Sequence, residues 1–256
     1  FFGIPIAAVT KAIRNAVKTV VFGLIYQQGN EGLAESTGRP VEEIEEIKTK
    51  FLDRFPTGLK WFDKIKKSAK RDLFVESPLG RRRNLPALLV AESLAGARSV
   101  INRSLRQCVN SPVQGFGSDL MMSSIRLINK YCYDHYVKTG VYPHIKANVS
   151  VHDSLSVETG YEWTWLAIDF IERAMTTGVV ELMQERHGIE FTSIPEIEFE
   201  IGADESTTKT WDYSLDGLRK LLTAGLIQRR DTFKEKVNVE KVVDYIMNDQ
   251  WATTPE

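Results

Sequence analysis

The chain has 256 residues, of which 43% are hydrophobic and 26% charged. A chain of this composition can bury a sizeable core and need not be disordered. The formal net charge of −1 excludes a general affinity for polyanions, so any contact with nucleic acid must come from local clusters of basic residues. The longest apolar runs, 1–9 and 20–26, are too short to span a bilayer, and we expect no membrane partner.

Cys108 and Cys132 are the only cysteines, and no histidine lies near them at a zinc-binding spacing. Two packed, reduced thiols are therefore predicted, which indicates an intracellular protein. The chain begins on Phe1-Phe2-Gly3, a poor free terminus for a domain. This start predicts a severed or split chain.

The first third of the chain is predicted to be helical. Apolar spacing there indicates four helices, at about 10–26, 32–36, 40–55 and 56–70. Further along, we expect short strands at 73–75 and 83–85, a long helical region at about 94–137 interrupted at Ser111-Pro112, and a β-hairpin of 145–151 with 155–158. The remainder predicts a helix at 163–185, a strand at 196–201 and helices at 213–224 and 239–247. The pattern predicts an α+β fold, with a helical module followed by a module that contains a small antiparallel sheet.

Four residues with a common spacing form a stripe along the first predicted helix. Arg14, Lys18, Phe22 and Tyr26 recur every fourth residue, which places them on one slowly winding face roughly 18 Å long. The stripe presents two cations, then an aromatic ring, then a ring with a hydroxyl. A nucleoside triphosphate has its parts in the same order: anionic tail, sugar and base. Taken singly, such residues are usually a solvated face or core, so the order carries the prediction.

The predicted hairpin turn carries a second candidate site. His152-Asp153-Ser154 joins the two strands, and a tight turn between paired strands can hold a carboxylate rigidly beside a reacting phosphate. Asp is also common in turns because it bonds to its own backbone. Taken alone, the turn therefore does not distinguish a metal ligand from ordinary turn chemistry.

Two basic patterns indicate contacts with nucleic acid. Arg106, Asn110 and Gln114 lie four residues apart on the long helix, where Arg can bind a phosphate and the amides can bond to acceptors at a groove edge. The same spacing also fits the polar face of an ordinary amphipathic helix. The segment 60–83 contains nine bases and three acids, a local charge of +6, and ends in Arg81-Arg82-Arg83. By itself an arginine triplet indicates only a basic surface.

These patterns together resemble family A, DNA polymerase I-like polymerases. The arrangement Arg-x3-Lys-x3-Phe-Gly-x2-Tyr closely resembles the nucleotide-binding helix of that family. The resemblance implies that Arg14 and Lys18 bind the triphosphate, with Lys18 as general acid to the leaving pyrophosphate. It further implies that Phe22 packs on the sugar and that Tyr26 lies by the nascent base pair. The likeness covers roughly residues 1–212, and the motifs occur in the family's order.

The other patterns also have counterparts in the family. The strand–His-Asp–strand segment resembles its second carboxylate motif, which implies that Asp153 binds magnesium and that His152 contacts the primer terminus. The family usually has Glu where this chain has Ser154, so one anion is missing beside the metal. The helix residues resemble the family's minor-groove reader, and the arginine triplet resembles a turn that grips the DNA backbone. The residues concerned are Arg106, Asn110, Gln114, Arg81, Arg82 and Arg83.

One expected part of the family pattern is not found in the sequence. Two-metal phosphoryl transfer needs a second carboxylate, which the family supplies from a strand–Asp-Tyr-Ser segment before the nucleotide-binding helix. Residues 1–9 contain no Asp or Glu. Asp212-Tyr213-Ser214 partly echoes the motif, but polar residues precede it and Gly217 replaces the family's Glu. We therefore expect the first motif and the thumb to lie on another polypeptide or on a segment that was cut away.

The resemblance implies fingers at 1–85, part of the palm at 86–212 and a helical extension at 213–256. The expected function is template-directed DNA synthesis, with primer–template DNA, deoxynucleoside triphosphates, Mg²⁺ and a complementary polymerase fragment as partners. The expected location is the cytoplasm of a bacterial or phage-infected cell. Two alternatives remain open: a single-subunit RNA polymerase relative, and a subunit that binds primer–template without chemistry.

Overall fold

The computed structural model describes residues 8–26, 28–90, 93–202, 208–214, 216–218 and 220–224, apart from the side chains of 12, 13, 15 and 16. Contacts divide the chain into two compact units, Phe1–Phe116 and Gly117–Glu256. The start at Phe1-Phe2, from which we predict a split chain, lies outside the described residues, as does the helix predicted at 239–247. The division into fingers, palm and extension rests on the resemblance and stays a prediction.

The first unit is mainly helical. Its helices and strands are α1 (Lys11–Ile25), α2 (Asn30–Thr37), α3 (Val41–Arg54), α4 (Pro56–Asp72), β1 (Phe74–Glu76), β2 (Arg82–Asn84) and the first part of α5 (Ala97–Thr139). A short 3-10 helix, Pro86–Leu89, follows β2. Strands β1 and β2 form an antiparallel hairpin in which Val75 pairs with Arg83.

Two apolar clusters hold the first unit together. One joins α1, α2 and α3 through Val20, Leu24, Leu33, Ile44 and Ile47. The other joins α4, the β1–β2 hairpin and α5 through Ala69, Val75, Leu85, Cys108 and Val109. Because Cys108 lies in this second cluster and Cys132 is also buried, both cysteines are packed free thiols, as predicted.

The second unit contains the remainder of α5 and the small sheets. Its further elements are β3 (Ile145–Val151), β4 (Ser154–Thr159), α6 (Thr164–Met175), α7 (Thr177–His187), β5 (Glu200–Ile201) and β6 (Lys209–Thr210). Strands β3 and β4 pair antiparallel, with a bulge between Ala147 and Val149. A further apolar cluster joins Ile168, Phe199, Trp211, Leu218 and Leu222. Mostly helical, with small antiparallel sheets, the chain has the predicted α+β fold.

Some element bounds differ from the sequence prediction. The strand predicted at 73–75 is Phe74–Glu76, because Leu73 takes a left-handed conformation (φ 61°) that ends α4. The strand predicted at 83–85 is Arg82–Asn84. The predicted interruption at Ser111-Pro112 is wrong, since α5 continues through Pro112. Burial of Cys108, Val109 and Pro112 holds this turn in the helix although proline cannot donate its backbone hydrogen bond.

The last third differs more. The single helix predicted at 163–185 is two helices that meet at Thr176, whose φ of −115° and ψ of −102° are not helical. The strand predicted at 196–201 is reduced to Glu200–Ile201. In the hairpin, Ser154 belongs to β4 and pairs with Val151, so the loop contains only two residues.

Candidate nucleotide and nucleic-acid interface

The structure exposes the predicted stripe on α1. Arg14 and Lys18 are exposed, as are Phe22 (52%) and Tyr26 (40%). Tyr26 follows the last residue of α1 but continues the helical pattern, because its N–H donates to the carbonyl oxygen of Phe22 at 2.8 Å. The four side chains therefore share one solvent-facing stripe.

The opposite face of α1 is anchored in the core. Val20 and Leu24 are buried against α2 and α3. Gly23 permits this close packing, because a Cβ at that position would overlap the fully buried Leu33 side chain. With its apolar face fixed in this way, the helix cannot rotate to bury the stripe.

The two rings of the stripe form a pair. The ring centroids of Phe22 and Tyr26 lie 6.2 Å apart, with an interplanar angle of 23°. Neither Arg14 nor Lys18 forms an ion pair with a described residue. Lys11, which the sequence analysis did not single out, is an exposed cation three residues before Arg14. The stripe thus combines positive charge that no described residue pairs with at one end with aromatic surface at the other.

The β1–β2 hairpin presents the arginine triplet on a closed turn. The Ser77 N–H donates to the carbonyl oxygen of Arg81 at 2.9 Å, and the Gly80 N–H donates to the carbonyl oxygen of Ser77 at 2.8 Å. The buried Ser77 hydroxyl accepts the Arg81 N–H at 3.2 Å. Gly80 has a φ of 81°, which a residue with a side chain rarely adopts. Ser77 is a contributor that sequence reasoning missed, although Ser before Pro78 in a turn was the available signal.

The three arginines do not have equivalent surroundings. Arg82 donates to Glu76 Oε1 at 2.8 and 2.9 Å, and its guanidinium lies 3.8 Å from the centroid of the Phe74 ring. Arg83 is exposed and has no ion pair with a described residue. Side chains alternate along a strand, so Arg83 lies on the opposite face of the hairpin from Arg82. Arg82 is thus held by its neighbours, whereas Arg83 can reach an external anion.

Helix α5 presents the third group. Arg106 and Gln114 are exposed and Asn110 is half-buried. The other face of this stretch carries Cys108 and Val109, which are buried in the cluster with β1 and β2. The polar face predicted from the sequence is therefore a surface of α5, and its orientation is fixed by the core.

The arginine turn lies against this part of α5. A Cβ at Gly115 would lie 3.3 Å from Ser77 Cβ and 3.7 Å from Arg81 Cδ. Gly115 follows Gln114 directly, so the turn and the end of the polar face are neighbours within the first unit. The structure thus brings two of the predicted DNA-contacting groups together.

His152 and Asp153 form the two-residue loop between β3 and β4 in the second unit. His152 has a φ of 54°, and a positive φ at the first loop residue matches the right-handed twist of paired strands. Both side chains are exposed. The Ser154 hydroxyl donates to the carbonyl oxygen of Val151 at 2.9 Å, which closes the loop. Asp153 is therefore presented on a tight turn.

The donor set allows a partial test of magnesium binding. Mg²⁺ commonly binds through one or two carboxylates together with water and substrate phosphates, and the exposed Asp153 fits one such ligand. No group of three or more His, Cys, Asp or Glu among the described residues is arranged to hold a metal. Asp153 therefore accounts for one ligand and not for a complete site.

Asp212 has a different environment. Its Oδ1 accepts the Ser214 N–H at 3.0 Å and the Ser214 hydroxyl at 2.6 Å. These hydrogen bonds to Ser214 are the main reason that the pKa of Asp212 is lowered. The Ser214 hydroxyl in turn accepts the Gly217 N–H at 2.9 Å, as an N-cap does at a helix start. Asp212 therefore holds the serine that caps the start of a helix.

In comparisons with known proteins, the chain is similar to DNA polymerases. The sequence model of DNA polymerase family A matches residues 1–202. A DNA polymerase of Bacillus phage SP01 is 33% identical over 162 residues, which are 61% of this chain and 16% of that protein. The thermostable DNA polymerase I of Thermus aquaticus is 34% identical over 120 residues, which are 47% of this chain and 14% of that protein. The chain thus spans less than a fifth of the length of either relative.

A solved structure has a related fold. It is the POL domain of Pol1 from M. smegmatis, in complex with DNA primer-template and dNTP. The two are 25% identical, with a TM-score of 0.59 over 68% of this chain and 29% of that one. Separately, no helix within the described part of the chain is both long and apolar enough to cross a membrane.

Proposed function

The chain belongs to DNA polymerase family A, and on that basis we propose that it takes part in template-directed DNA synthesis. The reaction is nucleotidyl transfer from a deoxynucleoside triphosphate to the 3′ end of a primer. DNA primer–template and nucleotide are the partners in the related POL-domain complex, and we propose the same partners for this chain. The family assignment favours this reaction over the RNA polymerase alternative.

The exposed stripe on α1 is the observation that carries the proposal. An exposed phenylalanine leaves apolar surface in water, which costs free energy unless a ligand covers it. Here the ring of Phe22 is half-exposed and lies in line with two cations. We propose that Arg14 and Lys18 bind the triphosphate, that Phe22 packs on the sugar and that Tyr26 lies by the nascent pair.

Lys18 would also act on the leaving group. Negative charge moves onto the pyrophosphate as the reaction proceeds, and an ammonium already in position stabilises it more strongly at that stage. A Lys18 proton donated to the leaving oxygen would complete the general-acid role. The absence of an ion pair with a described residue leaves this ammonium available.

The remaining residues are proposed to hold the nucleic acid. Arg106, Asn110 and Gln114 would contact the minor groove, His152 the primer terminus, and the arginine turn the phosphate backbone. The contact between Gly115 and the arginine turn supports a common surface for the α5 residues and that turn. Within the turn, Arg81 and Arg83 would contact phosphate while Arg82 maintains the hairpin through Glu76.

Asp153 is proposed as one magnesium ligand. The chemistry that Mg²⁺ supplies when bound is stabilisation of charge on the attacking and leaving oxygens. A second carboxylate would come from a segment outside residues 1–256, on the same or another polypeptide, together with the thumb. The β3–β4 hairpin supports this, because the structure shows no third strand beside it among the described residues, and Val149 (48%) and Val151 (53%) are exposed. Two-stranded hairpins usually need further packing for stability.

The test is primer extension by the complete protein that contains these residues. Lys18→Ala should lower the rate of nucleotide addition by on the order of 100-fold, while primer–template binding stays near wild type. Lys50→Ala is the matched control, since Lys50 is an exposed lysine paired with Glu46 on α3. Rapid addition by Lys18→Ala would contradict the assignment of the stripe.

Two other outcomes of the same assay would support the alternatives to DNA synthesis. If the complete wild-type protein binds primer–template but extends no primer in magnesium, the chain is a binding subunit without chemistry. Incorporation of ribonucleotides in preference to deoxynucleotides would instead support the RNA polymerase alternative.

A further inference from the structure

Helix α4 carries a line of cations on its exposed side. Lys60, Lys64, Lys67 and Arg71 are separated by four, three and four residues, so at 100° per residue they fall within an arc of roughly 60°. All four are exposed. At the helical rise the line is roughly 16 Å long. We call these four residues the α4 basic line.

The core fixes the direction in which this line faces. Ala69 is fully buried, and Phe62 and Ile65 pack against the same cluster. These residues lie on the opposite side of α4 from the basic line. Because the cluster also contains residues of β1, β2 and α5, the helix cannot turn its cations inward.

Three of these four cations form no ion pair within the part of the chain that the structure describes. Arg71 pairs with Asp72 through contacts of 2.6 and 2.7 Å. Lys60, Lys64 and Lys67 form no ion pair with any residue that the structure describes. Like charges three or four residues apart on a helix repel each other. An external polyanion would relieve that repulsion.

We propose that the α4 basic line binds phosphates of duplex DNA without regard to sequence, as a contact surface additional to the arginine turn. The proposal rests on the proposed function, because it takes primer–template as the polyanion. One duplex strand has a phosphate about every 3.4 Å along the axis, so the line is long enough to meet several. Helix α4 shares its core cluster with the β1–β2 hairpin and α5, which carry the other proposed DNA contacts.

Duplex fits this surface better than single-stranded DNA. Proteins that bind single strands combine a basic groove with exposed aromatic rings on which bases stack. Beside the line, Trp61 and Phe62 are half-buried and pack in the core. Their rings contact each other with centroids 5.6 Å apart. In a duplex the bases are already stacked, and phosphate contacts alone suffice.

The test is equilibrium binding of the complete protein to duplex DNA across a range of salt concentrations. The variant Lys60→Gln/Lys64→Gln/Lys67→Gln removes three cations that form no ion pair with a described residue. The matched control Lys50→Gln/Lys130→Gln/Lys220→Gln removes three exposed lysines that already pair with Glu46, Asp134 and Asp216. Both variants change the net charge by the same amount.

If all three lysines contact phosphate, the slope of log K against log salt should fall in magnitude by about 2.7, since each contact contributes about 0.9. The control should keep the wild-type slope. Equal slopes for the two variants would overturn the proposal while leaving primer extension by wild type, and hence the proposed function, intact. A loss of affinity for single strands alone would also overturn it. Wild-type protein that neither binds nor extends primer–template would refute the proposed function itself.

Discussion

Phe22 and Tyr26 lie side by side on the exposed face of α1, with ring centroids 6.2 Å apart and planes inclined by 23°. Aromatic residues four positions apart on a helix are usually drawn into a core. Here the core takes Val20 and Leu24 instead, and the rings remain at the surface. The arrangement leaves an aromatic surface beside Lys18, where we propose that the sugar and base of a nucleotide bind.

Phe22→Tyr should increase the incorporation of chain-terminating 2′,3′-dideoxynucleotides relative to normal deoxynucleotides. If the ring packs on the sugar, an added phenolic hydroxyl can replace an interaction that the missing 3′-hydroxyl normally makes. The measurement is competition between the two substrates in primer extension. Phe55→Tyr is the control, because Phe55 is also half-exposed but lies off the stripe. If an active Phe22→Tyr protein discriminated between the two substrates as wild type does, the ring of Phe22 would not pack on the sugar as proposed.

Gly23→Ala should destabilise the protein, whereas Gly117→Ala should not. A Cβ on Gly23 would overlap Leu33, which is fully buried, and overpacking a core typically costs about 1–3 kcal/mol. Gly117 is also inside a helix, but a Cβ there would meet nothing within 4 Å. Replacing glycine by alanine in an open helical position gains up to about 1 kcal/mol. Thermal unfolding of both variants should show shifts of opposite sign.

A rise in the unfolding temperature of both variants would show that the gain in helix propensity outweighs the cost of overpacking at Gly23. In that case α1 would not be locked against α2, and the exposure of the stripe would have another cause. Activity measured on the same proteins adds information. Loss of nucleotide addition in Gly23→Ala, beyond any loss of folded protein, would link the packing of α1 to the position of Phe22.

The stability of the protein should fall as pH rises from about 9 to about 11, partly because of Cys108. Burial raises the pKa of this thiol to about 11, from an ordinary value of 9.0, although Lys66 opposes the shift. Because the folded state holds the proton more tightly, unfolding is favoured once the unfolded thiol ionises. Denaturant unfolding across this range should show a shallower decline in Cys108→Ala than in wild type. Parallel declines would assign the pH dependence to other groups.

Sequence patterns predicted the features that depend only on residues close together in the chain. The stripe on α1 followed from the four-residue spacing, and the β-hairpin followed from two strand-like runs on either side of His152-Asp153-Ser154, although Ser154 belongs to β4 and not to the loop. Both features depend on neighbouring residues alone. Exposure of Phe22 could not be predicted in this way, because it depends on α2 and α3 covering the other face of the helix.

Tertiary contacts explain where the predictions of elements failed. At Pro112 the local rule predicted an interruption, but burial of Cys108 and Val109 keeps α5 continuous. At Thr176 the sequence predicted a continuous helix, but the structure has two helices that meet there. A Cβ on Gly178 would lie 2.5 Å from the Tyr131 hydroxyl and 2.8 Å from the Arg173 carbonyl oxygen, so the chain is closely packed just after the break.

The unequal roles of the arginine triplet also required the structure. Sequence alone gives three adjacent cations, whereas the pairing of Glu76 with Arg82 depends on strand register. The same register brings Phe74 under the Arg82 guanidinium. Arg82 is therefore a structural contact of the hairpin as well as a basic residue.

Asp153→Asn should abolish primer extension, whereas Asp212→Asn should leave it largely intact. Asp153 is presented on the tight β3–β4 turn, where a carboxylate can coordinate magnesium, and an amide is a much weaker ligand for that ion. The Asp212 carboxylate instead accepts two hydrogen bonds from Ser214, which in turn caps the helix at Gly217. An asparagine oxygen can accept the same bonds, so the helix end should remain closed. The measurement is magnesium-dependent extension by the complete protein, with primer–template binding as the folding control. Robust extension by Asp153→Asn, lost in Asp212→Asn, would show that the catalytic carboxylate lies in the helix cap and not in the hairpin.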